Sequence, residues 1–283
     1  MWFQCDSQWE KKFSLLPFLL HSLSPYYTFA RILLKPTQET RTLLRKIMPK
    51  QSYQSIVILT GAGISAESGI QTFRASDGLW ENHHIEDVAS PEGFSRDPNT
   101  VHHFYNQRRH QLLSKEIEPN TAHLALADFE SKFSGKYTLI TQNIDNLHER
   151  AGSSMLYHMH GELLKIRCVQ SGRIFNCKKD ISPLSICECC NTVGNLRPHI
   201  VWFGEMPLYM NEIHQALSQC DLFIAVGTSG NVYPAAGFFE MAQSAGAHTI
   251  ELNLEPTHSG SQFTEQHYGP ATEVVPNYLS HLL

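Results

Sequence analysis

The sequence predicts an α/β protein, a Rossmann-like, doubly wound parallel sheet with a smaller second domain formed by insertions, and three observations carry that prediction. Four short apolar runs, SIVILT, YTLIT, DLFIAV and HTIELN, each end in a polar or glycine-rich loop. Continuous apolar runs of this length suit strands buried on both faces, as in a parallel sheet covered by helices. Helical patterns lie between the runs, and this alternation is the doubly wound arrangement, whose ligand sits outside the carboxyl ends of the strands. Residues 76–118, polar and aromatic with helical character, and residues 165–199, which hold most of the cysteines, interrupt the alternation without replacing it.

Composition bounds the function. With 283 residues and 42% hydrophobic content the chain can bury a full core. A net charge of -5 gives the whole chain no field for DNA, RNA or an anionic membrane, so neither nucleic acid nor membrane is an expected partner. The seven cysteines are an odd number, and their clustering reads as a metal site in a reducing compartment rather than a disulfide framework, which points to the cytoplasm. Most of the 16 histidines are scattered and read as surface or hydrogen-bonded core residues.

The first fifty residues imitate a signal peptide, with Lys11 and Lys12 ahead of FSLLPFLL. That run is too short to span a bilayer, contains Pro17, lacks a small-residue cleavage site and is followed by Arg41, Arg45 and Lys46. Residues 1–50 are expected to be a poorly ordered extension, with Met48 a candidate start. The catalytic domain is expected over 51–283, its large part at about 51–75, 119–164 and 200–283 and its small part at about 76–118 and 165–199.

The motifs follow in chain order. SIVILT runs into Gly61-Ala62-Gly63-Ile64-Ser65-Ala66, which satisfies G-x-G-x-x-G/A, with glycines that let a backbone approach a pyrophosphate at a helix N-terminus. A redox Rossmann domain would next place a strand ending in an acidic residue, but Glu81 and Glu86 lie in a polar stretch. Thr72-Phe73-Arg74 stands there instead, an aromatic and a guanidinium able to cover a nucleotide and pair with its phosphates. Asn120-Thr121 caps AHLALADFESKF. Directly after YTLIT, Gln142-Asn143-Ile144-Asp145-Asn146 puts an amide and a carboxylate at the ligand edge, or else forms a turn that caps the next helix.

In His158-Met159-His160-Gly161-Glu162, His160 is placed to be an exposed general base, while His158 points the other way if the run is extended and reads as structural. Cys168 through Ser171 and Cys187 through Cys190 resemble the two C-x-x-C pairs of a zinc ribbon, with Ser171 in one ligand position. Cys168, Cys187 and Cys190 are the candidate ligands. Cys177 or Cys189 supplies a fourth, or the thiols are ordinary buried ones. The second domain is therefore expected to be part zinc ribbon and part helical. A helix is expected across NEIHQALSQ, and another from Pro234 through AAGFFEMAQSA to a stop at Gly246.

In order, GAGISAESGI-x-TFR, TQNIDNLH, HGE, the broken cysteine pairs, VWFGE, GTS and NLE resemble the sirtuin family of NAD-dependent protein deacylases, from about Ser55 to Leu283. The wording looks most like bacterial members that remove succinyl and related acidic acyl groups. In that class a Tyr-x-x-Arg pair reads the acyl carboxylate, here Tyr105 and Arg108, and the small Ala89 widens the acyl pocket. Phenol and guanidinium at i and i+3 share one helix face and can grip one carboxylate together.

The resemblance implies an enzyme that consumes NAD and frees protein lysines of succinyl or acetyl groups, yielding nicotinamide and O-acyl-ADP-ribose. It implies that His160 is the general base acting on a ribose hydroxyl, and that Asn143 and Asp145 position the ribose and a water. Gln142 and Ile144 would contact the cofactor, and Phe73 would guard the anomeric carbon. Gly61, Ala62, Gly63, Arg74, Gly227, Thr228, Ser229, Asn253, Leu254, Glu255 and Ala271 match the family's other cofactor contacts. Val201, Phe203, Gly204 and Glu205 would pair with an extended acyl-lysine peptide. Gln71 replaces a proline common in the family, and Ser171 bears on zinc occupancy. Two rival readings remain at this point, a Rossmann-type dehydrogenase and a non-enzymatic zinc-ribbon module.

Overall fold

The computed structural model describes residues 53–71, 79–80 and 83–283. The expectations placed on residues 1–50 and on Thr72, Phe73, Arg74 and Glu81 lie outside these.

Strand β1 (Ser55–Thr60) buries five of its six residues. It leads into a 3-10 helix, Ala62–Ser68, closed by Gly69 in the left-handed conformation at φ 90°, which glycine adopts without strain. Two two-residue strands, β2 (Leu79–Trp80) and β3 (His83–His84), pair antiparallel. Helices α1 (Ile85–Val88), α2 (Pro91–Arg96) and α3 (Pro98–Leu112) follow. Ser90 and Asp97 cap the last two by accepting from the N–H groups of Gly93 and Thr100, each ahead of a proline already fixed at a helical φ. At α4 (Thr121–Lys132), Asn120 accepts from Ala122 and His123 N–H, and the His123 ring returns a bond to the Asn120 N–H.

Next come β4 (Lys136–Thr141), α5 (Leu147–Ala151) and β5 (Leu156–His158). An antiparallel sheet, β6 (Gly161–Cys168), β7 (Ile174–Asn176) and β8 (Leu196–Ile200), interrupts the pattern with β6 in the middle. The chain then alternates through α6 (Met210–Leu217), β9 (Leu222–Val226), α7 (Phe238–Ser244), β10 (His248–Asn253), β11 (Glu265–Tyr268) and α8 (Ala271–Ser280). Helix α7 starts later than Pro234 because a 3-10 turn, Ala235–Gly237, intervenes at a glycine.

The large sheet is parallel throughout, in the order β11-β10-β9-β1-β4-β5. From β1 the chain moves to β4 on one side and later returns to β9 on the other. The loops after β1, β4, β9 and β10 thus share one carboxyl edge around that switch point, where such sheets hold ligands. The pleat divides β1 between two cores. Val57 and Leu59 pack with Ile213 and Leu217 of α6 and Phe238 and Phe239 of α7, while Ile56 and Ile58 pack with Leu126 and Phe129 of α4 and Val275 and Leu279 of α8.

Helix α3 of the first insertion packs in a third core, where its Val101, Phe104 and Tyr105 join Leu163 of β6, Ile200 of β8 and Trp202. A fourth, small core beneath the cysteines joins Ile166, Ile181 and Leu196. The fold is a Rossmann-like sheet carrying a smaller helical and cysteine-bearing domain.

Candidate active site

One cleft of about 1110 Å³ opens along the carboxyl edge of the large sheet against α3. Every described residue that the sequence assigned to the cofactor or to the acyl-lysine lines it. The cysteines do not.

The glycines at its floor have a demanding local reason. The Gly61 and Gly63 N–H groups donate to the carbonyls of Val226 and Gly227 at 2.9 Å each, drawing the loop after β1 onto the loop after β9. A Cβ on Gly63 would lie 2.7 Å from the Gly227 Cα, and one on Gly227, itself at φ +59°, 2.6 Å from the Ile64 nitrogen. The spacing read as backbone approach to a phosphate is first required by backbone approach to a second loop.

Asn143 and Asp145 are built into that floor. Asn143 Nδ2 donates to the Gly61 carbonyl and to Ser65 Oγ, both at 3.1 Å, and Ser65 Oγ donates to Asp145 Oδ2 at 3.0 Å. Asp145 Oδ1 accepts from the Leu147 N–H at 3.1 Å, so the carboxylate also opens α5 as an Asx turn would. Burial raises the Asp145 carboxyl above the usual range, opposed by these two donors. Sequence reasoning gave Ser65 no role; its partners lie 78 and 80 residues away, and no local pattern announces them. Beneath it, the buried rings of His123 and His148 stand 4.9 Å apart, His148 Nε2 lying 2.9 Å from Thr60 Oγ1.

His160 and His158 divide as side chains of an extended run do. His160 lines the cleft, and its Nδ1–H donates to the Gln142 carbonyl at 3.0 Å, which leaves Nε2 with a free lone pair. Burial holds this imidazole below its ordinary pKa of 6.5, opposed by the Gln142 carbonyl. His158 is buried behind the loop, with Nδ1 3.2 Å from the Asn143 carbonyl and Nε2 2.8 Å from Glu149 Oε1.

At the other end, Tyr105 is fully buried and its phenol oxygen accepts from Trp202 Nε1–H at 2.9 Å. Arg108, one turn on, stacks its guanidinium 4.6 Å from the Phe104 ring centroid. Its neighbour Arg109 is wholly interior, bonded to Asn106 and to the Leu163 carbonyl. Ala89 is buried, and its carbonyl accepts from the Phe203 N–H at 2.9 Å. The Val201 N–H donates to the His160 carbonyl at 2.9 Å. Glu205 spends its carboxylate inside the protein, accepting from Arg197, Arg167 and the Trp202 N–H.

The sulfurs of Cys168, Cys187, Cys189 and Cys190 all lie within 4.8 Å of one another. Zinc–sulfur bonds of about 2.3 Å at tetrahedral angles set sulfurs roughly 3.8 Å apart, and Cys168 and Cys190 stand at 3.8 Å. The four-thiol set therefore suits a structural zinc. Cys189 supplies the fourth thiol, 3.3 Å from Cys187. Cys177 does not; its thiol turns to the Lys179 carbonyl at 3.2 Å. Ser171 touches the cluster from outside, its hydroxyl 3.1 Å from the Cys189 sulfur.

The sequence profile of the Sir2 family matches residues 61–234. A protein of Escherichia coli K12 named NAD-dependent protein deacylase is 55% identical over 264 residues, 93% of this chain and 95% of its own length. A Pasteurella multocida protein of the same name is 63% identical over 228 residues, 81% of this chain and 97% of its own. A crystal structure described as a Sir2 homolog–NAD complex superposes with a TM-score of 0.75 at 37% identity, covering 86% of this chain and 93% of that one.

Proposed function

The chain belongs to the Sir2 family and is an NAD-dependent protein deacylase, and on that premise we propose that it frees protein lysines of succinyl and acetyl groups, releasing nicotinamide and O-acyl-ADP-ribose. The observation that carries this reading is one cleft holding a base and an acyl-carboxylate grip together: His160 with Nε2 free, and Tyr105 with Arg108. NAD supplies the ribosyl carbon that accepts the acyl oxygen. The chain's residues bind and orient around that exchange, and one of them takes a proton.

Gly61, Ala62 and Gly63 with Gly227, Thr228 and Ser229 form the floor for the phosphates and the nicotinamide-side ribose, and Asn253, Leu254, Glu255 and Ala271 the wall for the adenosine. Asn143, tied by its amide to Gly61 and Ser65, and Asp145 hold the reacting ribose between the loops after β1 and β4. His160 Nε2 takes the proton of a ribose hydroxyl, and the Gln142 carbonyl keeps the tautomer that makes this possible. Tyr105 and Arg108 read an acidic acyl group, for which Ala89 leaves room.

An extended peptide would lie along 201–205. Because the Val201 and Phe203 N–H groups are engaged internally, the pairing there would use carbonyls and the Gly204 N–H. We assign the extension to 1–50 and the catalytic domain to 51–283, and place the enzyme in the cytoplasm, where reduced cysteines persist. No helix among the described residues is long and apolar enough to cross a membrane.

Consumption of NAD should require an acyl-lysine peptide, and multiple-turnover formation of O-acyl-ADP-ribose should vanish in His160→Ala. Formation of that product by the variant at the wild-type rate would remove His160 from the chemistry.

A further inference from the structure

We propose that Trp202 is a specificity-determining positioning residue: its indole N–H occupies one lone pair of the Tyr105 phenol and thereby aims the Tyr105 O–H at the carboxylate of an acidic acyl group. The inference rests on the reading of Tyr105 and Arg108 as the acyl-carboxylate grip and adds what makes that tyrosine a donor.

A phenol O–H prefers the plane of its ring, where the oxygen offers two positions. An indole N–H can only donate, so wherever it meets a phenol oxygen the phenol must accept. Trp202 Nε1 lies 2.9 Å from that oxygen, which takes one position and forces the phenol hydrogen into the other. Tyr105 is fully buried yet lines the cleft, and among the described residues its O–H has no acceptor. A buried hydroxyl left without an acceptor is unfavourable until a ligand supplies one. A succinyl carboxylate is such an acceptor; the methyl of an acetyl group is not.

Trp202 is itself held for this task. The residue is 2% exposed, its backbone N–H donates to Glu205 Oε2 at 2.8 Å, and Arg197 lies over the indole face with the guanidinium carbon 3.2 Å from the ring centroid. Arg197 is anchored in turn by both oxygens of Glu205, at 2.7 and 3.0 Å, and by the Ile200 carbonyl. A cation over the π face draws electron density from the indole and strengthens its N–H as a donor. Glu205, Arg197, Trp202 and Tyr105 form one chain of contacts from the segment expected to meet the peptide to the acyl end of the cleft.

The test compares kcat/KM for succinyl- and acetyl-lysine forms of one peptide. Trp202→Phe keeps a ring and deletes the N–H. A second variant carries at 202 the indole isostere in which sulfur replaces the N–H, preserving the packing should phenylalanine destabilise the fold. One neutral hydrogen bond being worth roughly a factor of five, the succinyl-to-acetyl ratio should fall about fivefold in both. Tyr105→Phe should lower it further. An unchanged ratio at 202 while Tyr105→Phe and Arg108→Met lower it would overturn the role of Trp202 and leave the acyl reading standing. Equal losses on both substrates would make Trp202 a packing residue only. A ratio unmoved in all four variants would overturn the acyl reading, and this inference with it.

Discussion

A general base must be neutral and must turn a lone pair to the substrate before it takes a proton, and the cleft arranges both for His160. Burial lowers its imidazole below 6.5, and the Gln142 carbonyl fixes the proton on Nδ1. The base is lost only as pH falls through that lowered pKa. We therefore expect kcat/KM to be flat across neutral pH and to decline on the acid side with a midpoint below 6.5; a midpoint well above 6.5 would contradict the assignment. A charge-assisted hydrogen bond to a carboxylate contributes about 1.5–3 kcal/mol, so Arg108→Met should lower kcat/KM on succinyl-lysine roughly 10- to 100-fold and much less on acetyl-lysine. His160 and Asn143 are legible in the sequence because each sits in a recognisable local string, whereas Tyr105 and Arg108 by themselves read as a surface pair and become legible only through the family resemblance. Ser65 and Trp202 act through partners 80 and 97 residues away, contacts that only the fold creates.

Between elements, backbone contact between two loops governs the floor of the site. Gly63→Ala would drive a Cβ to 2.7 Å from the Gly227 Cα, where neither partner is a flexible side-chain end. Overpacking of this kind costs about 1–3 kcal/mol. Thermal unfolding should show a lowered Tm together with loss of the upward shift that NAD gives the wild type; a variant that keeps both would show that the loops can part. The four central strands are readable as apolar runs because both of their faces are buried. Edge strands β5 and β11, LYH and EQHY, are short and half-buried, so neither has a run to read. The fourth thiol was ambiguous for a related reason. Cys177 stands alone and Cys189 lies inside the second pair, and what separates them is where the turn after β7 and the turn before β8 send their thiols.

Over the whole molecule, two devices link stability to conditions. Burial lowers His102 and His123 to about 4 and holds His148 well below its ordinary value, whereas an unfolded chain binds those protons near 6.5. Stability is therefore fully present above 6.5 and drains as pH falls from 6.5 towards 4. Tm measured against pH should fall through that window, and a flat profile would contradict the burial of these imidazoles. The cysteine cluster closes the small core under Ile166, Ile181 and Leu196, so metal analysis should find about one zinc per chain and chelation should lower Tm. A preparation without zinc and indifferent to chelator would make the thiols ordinary core. The central claim is that NAD is broken here rather than reduced. Mass spectrometry of the products formed from NAD and a succinyl-lysine peptide tests it most directly. One nicotinamide and one O-succinyl-ADP-ribose for each lysine freed is the predicted result, and NADH, or free succinate with NAD intact, would contradict it.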